Sequence, residues 1–440
     1  MMLGKFTLGV VATALLAGAF YADKASAEES IFIPGLVYRT GAYAPNGIPF
    51  ANGFKDYVNL INERDGGVNG VKLVYEECET NYNTKIGVEC YEKLKANNPV
   101  VIMPNSTGIT YQLLPKAPVD QIPILSMGYG RTSAADGRVF AWAFNFPTTY
   151  WSQASAVINY IADQEGGLEK LKGKKIAHIY HNSAYGKEAN PTLEVLAEKY
   201  GYELTLLAVD HPGQEQRATW LQIRKLRPDW IFMSGWGVMN QVAIQEAASI
   251  GYPMDHFIGN WWSGTESDVV PAGEGAHGYK SATFHPPGAN LKIHEDIRKF
   301  VYDRGKGAGA RERVGEVLYN RGLLNLVFVV EAIRNAQAHF KAKAVTGEQV
   351  RWGLENMHIT SKRWQELGFG GFEEVKVSCE DHEGGHPVLI QQWDAKKGEW
   401  SLVSDWNQVM RDIVRPMIEA DAAAYAKENN ITPRDCSKEG

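Results

Sequence analysis

Ile31-Phe-Ile-Pro-Gly-Leu-Val37, then Pro49 to Glu63, then Val71-Lys-Leu-Val-Tyr75 decide the fold class. Short apolar runs bracket a segment in which Phe50, Phe54, Tyr57, Val58 and Ile61 recur at three- and four-residue spacing before Gly66-Gly67. That is a strand, an amphipathic helix closed by glycine, and a second strand. The pattern continues. Further buried strands are predicted at Val100–Met103, Ile122–Leu125, Ile176–Tyr180, Leu204–Val209, Trp230–Met233 and His256–Gly259, with helices between them, giving βαβ units and a parallel sheet. Near Phe146-Pro147 the pattern restarts with a helix from about Tyr150, so one α/β domain hands over to another. Ala276 to Gly288 is extended, rich in Pro and Gly, and suits a return crossing. Helices are predicted at Ile293–Asp303, Leu318–Phe340 and Thr346–Asn356, followed by a hairpin, Val388–Trp393 and Trp400–Val403, and a last helix with an exposed tail.

At the N-terminus, Lys5, an apolar run from Phe6 to Phe20 and Ala25-Ser26-Ala27 before Glu28 read as a secretory signal peptide over residues 1–27. The run is shorter than a membrane-spanning helix needs, and no cysteine sits at the cleavage point. The expected product is free in the periplasm and not inserted in a membrane. The 440 residues exceed what one core organises, so two domains are expected. With 45 Lys and Arg against 51 Asp and Glu and no basic block, nucleic acid is excluded as a partner. Cys78, Cys90, Cys379 and Cys436 are an even set in an exported chain, without zinc spacing, and read as disulfides. Nearness in sequence favours 78 with 90 and 379 with 436, although spacing alone leaves the connectivity open.

No catalytic constellation emerges. His382-Glu383-Gly384-Gly385-His386 has the form H-E-x-x-H, whose zinc chemistry requires a helix that brings both imidazoles to one metal. Two glycines and Pro387 oppose that helix, so a loop entering the hairpin is expected and an exported hydrolase is the weakest reading. Gly305-Lys-Gly307-Ala-Gly-Ala310 fits G-x-G-x-x-A but follows a helical pattern, where a dinucleotide fingerprint follows a strand. No metal and no cofactor is expected. What remains is a set of polar and aromatic residues where strands end: Asn105-Ser106-Thr107, Ser126 to Gly130 with Gly128 and Tyr129, His181 to Tyr185, Ser234-Gly235-Trp236 and Asn260-Trp261-Trp262. Open α/β sheets bind ligands there. Asn105 to Thr107 would equally cap a helix. Trp261 and Trp262, being adjacent, cannot both point into one core from a strand, so one is expected to face a cleft.

In order and spacing these segments resemble the periplasmic solute-binding proteins of the branched-chain amino-acid type of ABC transporter. The resemblance rests on the Gly41–Gly47 loop, Ile61 to Gly70, Asn105-Ser-Thr107, Ser126 to Gly130, Tyr185-Gly186, and the Cys379-Glu-Asp-His382 and Trp393-Asp394 segments. It implies two Rossmann-like lobes, parallel sheets flanked by helices, joined by hinge crossings, with a C-terminal β-hairpin and helix. The implied division is 28–148 plus 281–360 for one lobe and 149–280 plus 361–440 for the other. It further implies a monomer that clamps a small solute and docks on ABC permease subunits driven by cytoplasmic ATPases.

Carried over position by position, Ser106 and Thr107 keep the carboxylate-binding hydroxyls, Trp236 keeps the cleft aromatic, and a family Thr becomes Gly130. The acid that accepts a ligand ammonium falls near Trp261, and a family Tyr near Asn46. The implied ligand set is Asn105, Ser106, Thr107, Gly128, Tyr129, Tyr150, Trp151, Tyr185, Trp236, Trp261 and Trp262. Without the acid, a buried ammonium would lack its partner at several kcal/mol. A flat or aromatic carboxylate is therefore the expected solute, with an amino acid or a urea- or amide-type solute as the alternative. A sensor presenting its solute to a membrane receptor is the alternative role.

Overall fold

The computed structural model describes residues 1, 4 and 29–438; the expected signal peptide lies outside the described residues. The first lobe is built on β1 (Ser30–Val37) paired in parallel with β2 (Lys72–Glu79). Single parallel bridges, Gly35 to Met103 and Ile102 to Ile124, carry the sheet on to β3 (Ile124–Leu125), which pairs with β4 (Ala143–Phe144). Val100–Met103 contributes bridges where a full strand is predicted. Pro99 and Pro104 bracket it, and neither can donate to a ladder.

The second lobe is one seven-stranded sheet. β5 (Lys175–His181) lies between β6 (Glu203–Val209) and β7 (Trp230–Ser234), and β8 (Phe257–Gly259) and β9 (Lys280–Thr283) follow in parallel. Two short strands, β10 (His358–Ile359) and β11 (Val375–Lys376), pair separately. The hairpin of β12 (Leu389–Asp394) and β13 (Glu399–Leu402) adds antiparallel to β9 and ends the sheet.

Two features depart from the expected division of the chain. Lys280–Thr283 is a strand of the second sheet, so the chain leaves that lobe only after residue 283 and returns to its sheet with the hairpin at 389–402. The last helix, Arg411–Glu428, packs Ala422 and Ala426 into a core shared with Ile102, Leu113 and Ile124 of the first lobe, and Arg131 pairs with Asp421. The disulfides are Cys78–Cys90 and Cys379–Cys436. The second fastens the chain end beside the 378–387 loop.

The helix Ala44–Arg64 crosses the buried helix Val317–Phe340 at close range. A Cβ on Gly53 would stand 2.3 Å from the Tyr319 carbonyl oxygen, and one on Gly322 would stand 2.2 Å from that of Phe50. The crossing therefore needs glycine at both positions, and it sets where the neighbouring Arg321 and Phe50 emerge.

Candidate functional site

Between the lobes lies a small cavity. The first lobe contributes Tyr38, Phe50, Tyr82, Asn105, Ser106, Thr107 and Tyr129; Tyr150, Tyr185, Trp236 and Trp262 complete the wall. Strand ends explain most of this. Tyr38 follows β1, Asn105 to Thr107 follow the Val100–Met103 segment, Trp236 follows β7 and Trp262 follows β8.

Asn105 organises the first-lobe end. Its backbone is left-handed, with φ at 52°, a conformation Asn tolerates. Its side-chain amide donates to the Leu36 carbonyl at 2.8 Å and its N–H to the Tyr129 hydroxyl at 2.9 Å. Ser106 then caps the short helix Thr107–Leu113, accepting from the Ile109 N–H, while Thr107 Oγ1 accepts from the Gly130 N–H at 3.2 Å. Both hydroxyl groups keep their own protons to donate.

The second-lobe wall is fixed by a polar lattice. The Tyr185 hydroxyl donates to the Gly235 carbonyl at 2.8 Å, the Asn260 amide donates to Tyr185, and the Trp262 N–H donates to Asn260 Oδ1 at 3.0 Å. These bonds set the angle at which Trp236 and Trp262 meet edge to face, ring centroids 5.6 Å apart. Trp236 is buried, and its indole N–H lies toward the Tyr38 hydroxyl without a full hydrogen bond to it.

The chemistry of the wall is uniform. Burial raises the phenols of Tyr38, Tyr82, Tyr129, Tyr150 and Tyr185 above their ordinary range, so all five are neutral hydroxyls. Among the described residues no carboxylate lines the cavity. The nearby acids face elsewhere: Glu266 accepts from the Val317 N–H at 3.1 Å, and Asp268 accepts from the Asn46 amide at 3.0 Å and the Thr265 N–H at 3.1 Å. Burial pushes both up to about 7.

Of the expected ligand set, three residues stand away from the wall. Trp151 donates its indole N–H to the Glu188 carbonyl and packs with Ala135, Val414 and Ile418, because neighbours on a helix point about 100° apart and Tyr150 takes the cavity side. Trp261 lies behind the wall, stacked on Tyr150 at 5.7 Å and bonded to the Gly128 carbonyl at 2.9 Å. Gly128, with φ at 67°, serves by that carbonyl, which also receives the Trp262 indole at 3.4 Å. Of the tryptophan pair, Trp262 is thus the one that faces the cleft. Tyr38, Phe50 and Tyr82 also line the cavity and lie outside the expected set. Tyr38 and Tyr82 follow the ends of β1 and β2, a position that signals them, whereas Phe50 has the spacing of an ordinary core residue.

The H-E-x-x-H segment is a loop. His382 stacks on Phe144 at 4.1 Å and donates from Nδ1 to the Ala143 carbonyl, Glu383 accepts from the Thr149 N–H and hydroxyl at the start of helix Tyr150–Glu165, and His386 bonds the Pro387 carbonyl. These residues staple the C-terminal segment to the helix that carries Tyr150. Among the described residues no group of three His, Cys, Asp or Glu is placed to hold a metal, and no helix is long and apolar enough to cross a membrane.

The model of the family described as periplasmic binding protein matches residues 30–399. The chain belongs to that family. Its fold is the type I form, two α/β lobes with a cleft between them, and the family's work lies outside the cytoplasm. A structure described as an ABC transporter permease from the Pseudomonas fluorescens group is 45% identical, with a TM-score of 0.85, covering 93% of this chain and 100% of its own. A branched-chain amino acid ABC transporter protein from Thermus thermophilus with bound valine superposes with a TM-score of 0.74 at 21% identity, over 88% and 99% of the two chains. A solute-binding protein from R. palustris in complex with benzoate does so at 0.68 and 13% identity, over 86% and 97%. A comparison with curated proteins finds no match. Proteins of this kind bind small solutes and work with ABC permeases, and in general they are not enzymes.

Proposed function

We propose that this chain is the periplasmic solute-binding component of an ABC importer and that its solute is a small, flat organic carboxylate without an α-ammonium group. One observation carries the choice: among the described residues the cavity is walled by hydroxyl donors, the Trp236 indole N–H and aromatic faces, with no carboxylate on it. An amino acid held there would bury an ammonium without a counter-charge, at several kcal/mol. A carboxylate instead finds the Ser106 and Thr107 hydroxyls, and its flat body finds Trp236, Trp262 and Phe50. That the fold accommodates benzoate in one relative and valine in another supports letting the wall decide. In the proposed cycle the lobes close about their crossings on the solute and the closed form is read by the permease.

The test is to denature protein purified with its solute in place, extract the small molecules and determine their masses. A non-amino acid released in stoichiometric amount is the expected result. Stoichiometric leucine, valine or another α-amino acid overturns the proposal.

A further inference from the structure

Arg321 is fully buried on the helix Val317–Phe340. Its guanidinium donates to the Trp261 carbonyl and to the Thr283 hydroxyl at 3.2 Å, and its Nε lies 3.3 Å from His285 Nε2. Its central carbon stands 5.2 Å from the Trp262 ring and 4.8 Å from the Phe284 ring. All of these partners are neutral. The carboxylates that act on it are Glu266 and Asp268, each hydrogen-bonded elsewhere and, at about 7, only partly ionised near neutral pH. Burial pulls the guanidinium itself down to about 9, which leaves it protonated at neutral pH. A buried cation so weakly neutralised is costly unless something else repays it.

Trp262 forms part of the cavity wall and also carries the guanidinium in a cation–π contact. We propose that Arg321 is a specificity-determining residue, selecting an anionic solute through the Trp262 ring without touching it. This rests on the carboxylate reading above and adds the source of the charge preference. The hydroxyls of Ser106 and Thr107 hydrogen-bond a carboxylate and an amide alike, so they orient a solute but discriminate little by charge. Taking a separation of about 8 Å between the guanidinium and the solute's charge, an effective dielectric of 20 to 40 gives about a 6- to 30-fold preference for the anion.

Benzoate and benzamide, alike in shape and different in charge, are titrated calorimetrically into the full protein freed of bound solute. Wild type is expected to prefer benzoate. Arg321→Met lowers the benzoate-to-benzamide affinity ratio about 6- to 30-fold, Arg321→Lys restores most of it, and Glu266→Gln, which removes an opposing charge, raises it. If Arg321 only props Trp262 in place, Arg321→Met weakens both ligands equally and leaves the ratio alone, which overturns the inference while the carboxylate reading stands. Should Arg321→Met not fold, an unchanged ratio in Glu266→Gln overturns it equally. Wild type that binds both equally or neither contradicts the carboxylate reading and the inference with it.

Discussion

Tyr43 reaches across the cleft through one oxygen, and its contact with His181 predicts a pH dependence of closure. The hydroxyl, in the loop before the first-lobe helix, lies 2.9 Å from His181 Nε2 and 3.1 Å from His211 Nδ1, both on the second lobe. His211 Nε2 donates to the Asn182 carbonyl, so its Nδ1 accepts from the Tyr43 O–H. His181 in turn donates from Nε2 to the Tyr43 oxygen and accepts at Nδ1 from Ser183. Accepting at Nδ1 needs the His181 imidazole neutral. Burial, with His211 adding to it, pulls His181 down to about 3. Opening the cleft would return it towards about 6.5. The open form then binds a proton that the closed form refuses. His181 therefore favours closure fully above about 6.5, and that contribution is lost as pH falls towards 3.

At pH 5 the penalty is about 2 kcal/mol, or roughly 30-fold in apparent affinity. Asp268, bonded to Asn46 across the same gap and raised to about 7, takes up a proton on closing and works in the opposite sense. The expected quantity is thus the difference between wild type and His181→Gln. Calorimetric affinities between pH 7.5 and 5 should diverge by about 30-fold, with His181→Gln losing the acid-side weakening. Tyr43→Phe should weaken binding about 5- to 150-fold already at pH 7.5, since it strands a buried imidazole. Parallel profiles for wild type and His181→Gln refute the reasoning.

Replacing Ser106 and Thr107 together by Ala should weaken a carboxylate by about 10- to 100-fold, read by calorimetry, and should also lower the thermal stability of the unliganded protein, because Ser106 caps helix Thr107–Leu113 and Thr107 accepts the Gly130 N–H. Trp262→Leu should weaken aromatic acids more than aliphatic ones of equal length, in the same titration, because it removes the stacking face. Cys379→Ser with Cys436→Ser opens a loop with a sequence separation of 57 residues and should cost about 4 kcal/mol in urea unfolding, against about 3 kcal/mol for the 12-residue separation of Cys78–Cys90.

The parallel strands were legible because buried β-branched runs have few other places to go, and β1, β5, β6 and β7 fall within a residue or two of their predicted bounds. Lys280–Thr283 was not, since Lys-Ser-Ala-Thr carries no apolar run. It is a buried strand because its polar groups are bonded, Lys280 Nζ to the Asp255 carbonyl at 2.7 Å and Ser281 to the Gln391 amide at 3.1 Å, and only the tertiary structure supplies those partners. The cavity was legible where strand ends mark it. It was not legible at Phe50, because a helix face turned to a core and one turned to a dry cleft have the same periodicity. Nor did the sequence distinguish Tyr150 from Trp151, or Trp262 from Trp261, as contacts, because adjacent aromatics diverge by an angle that only the packed helix or turn fixes.

The most direct test of the carboxylate assignment compares pairs that differ only in the α-ammonium: 4-methylpentanoate with leucine and 3-phenylpropanoate with phenylalanine. Protein refolded without solute is heated with each. At a hundred times its dissociation constant a ligand adds about 2.7 kcal/mol, a shift of several degrees. The expected result is that at least one deaminated acid raises the melting temperature and neither amino acid does. Stabilisation by leucine or phenylalanine, with the matching acids without effect, would contradict the account.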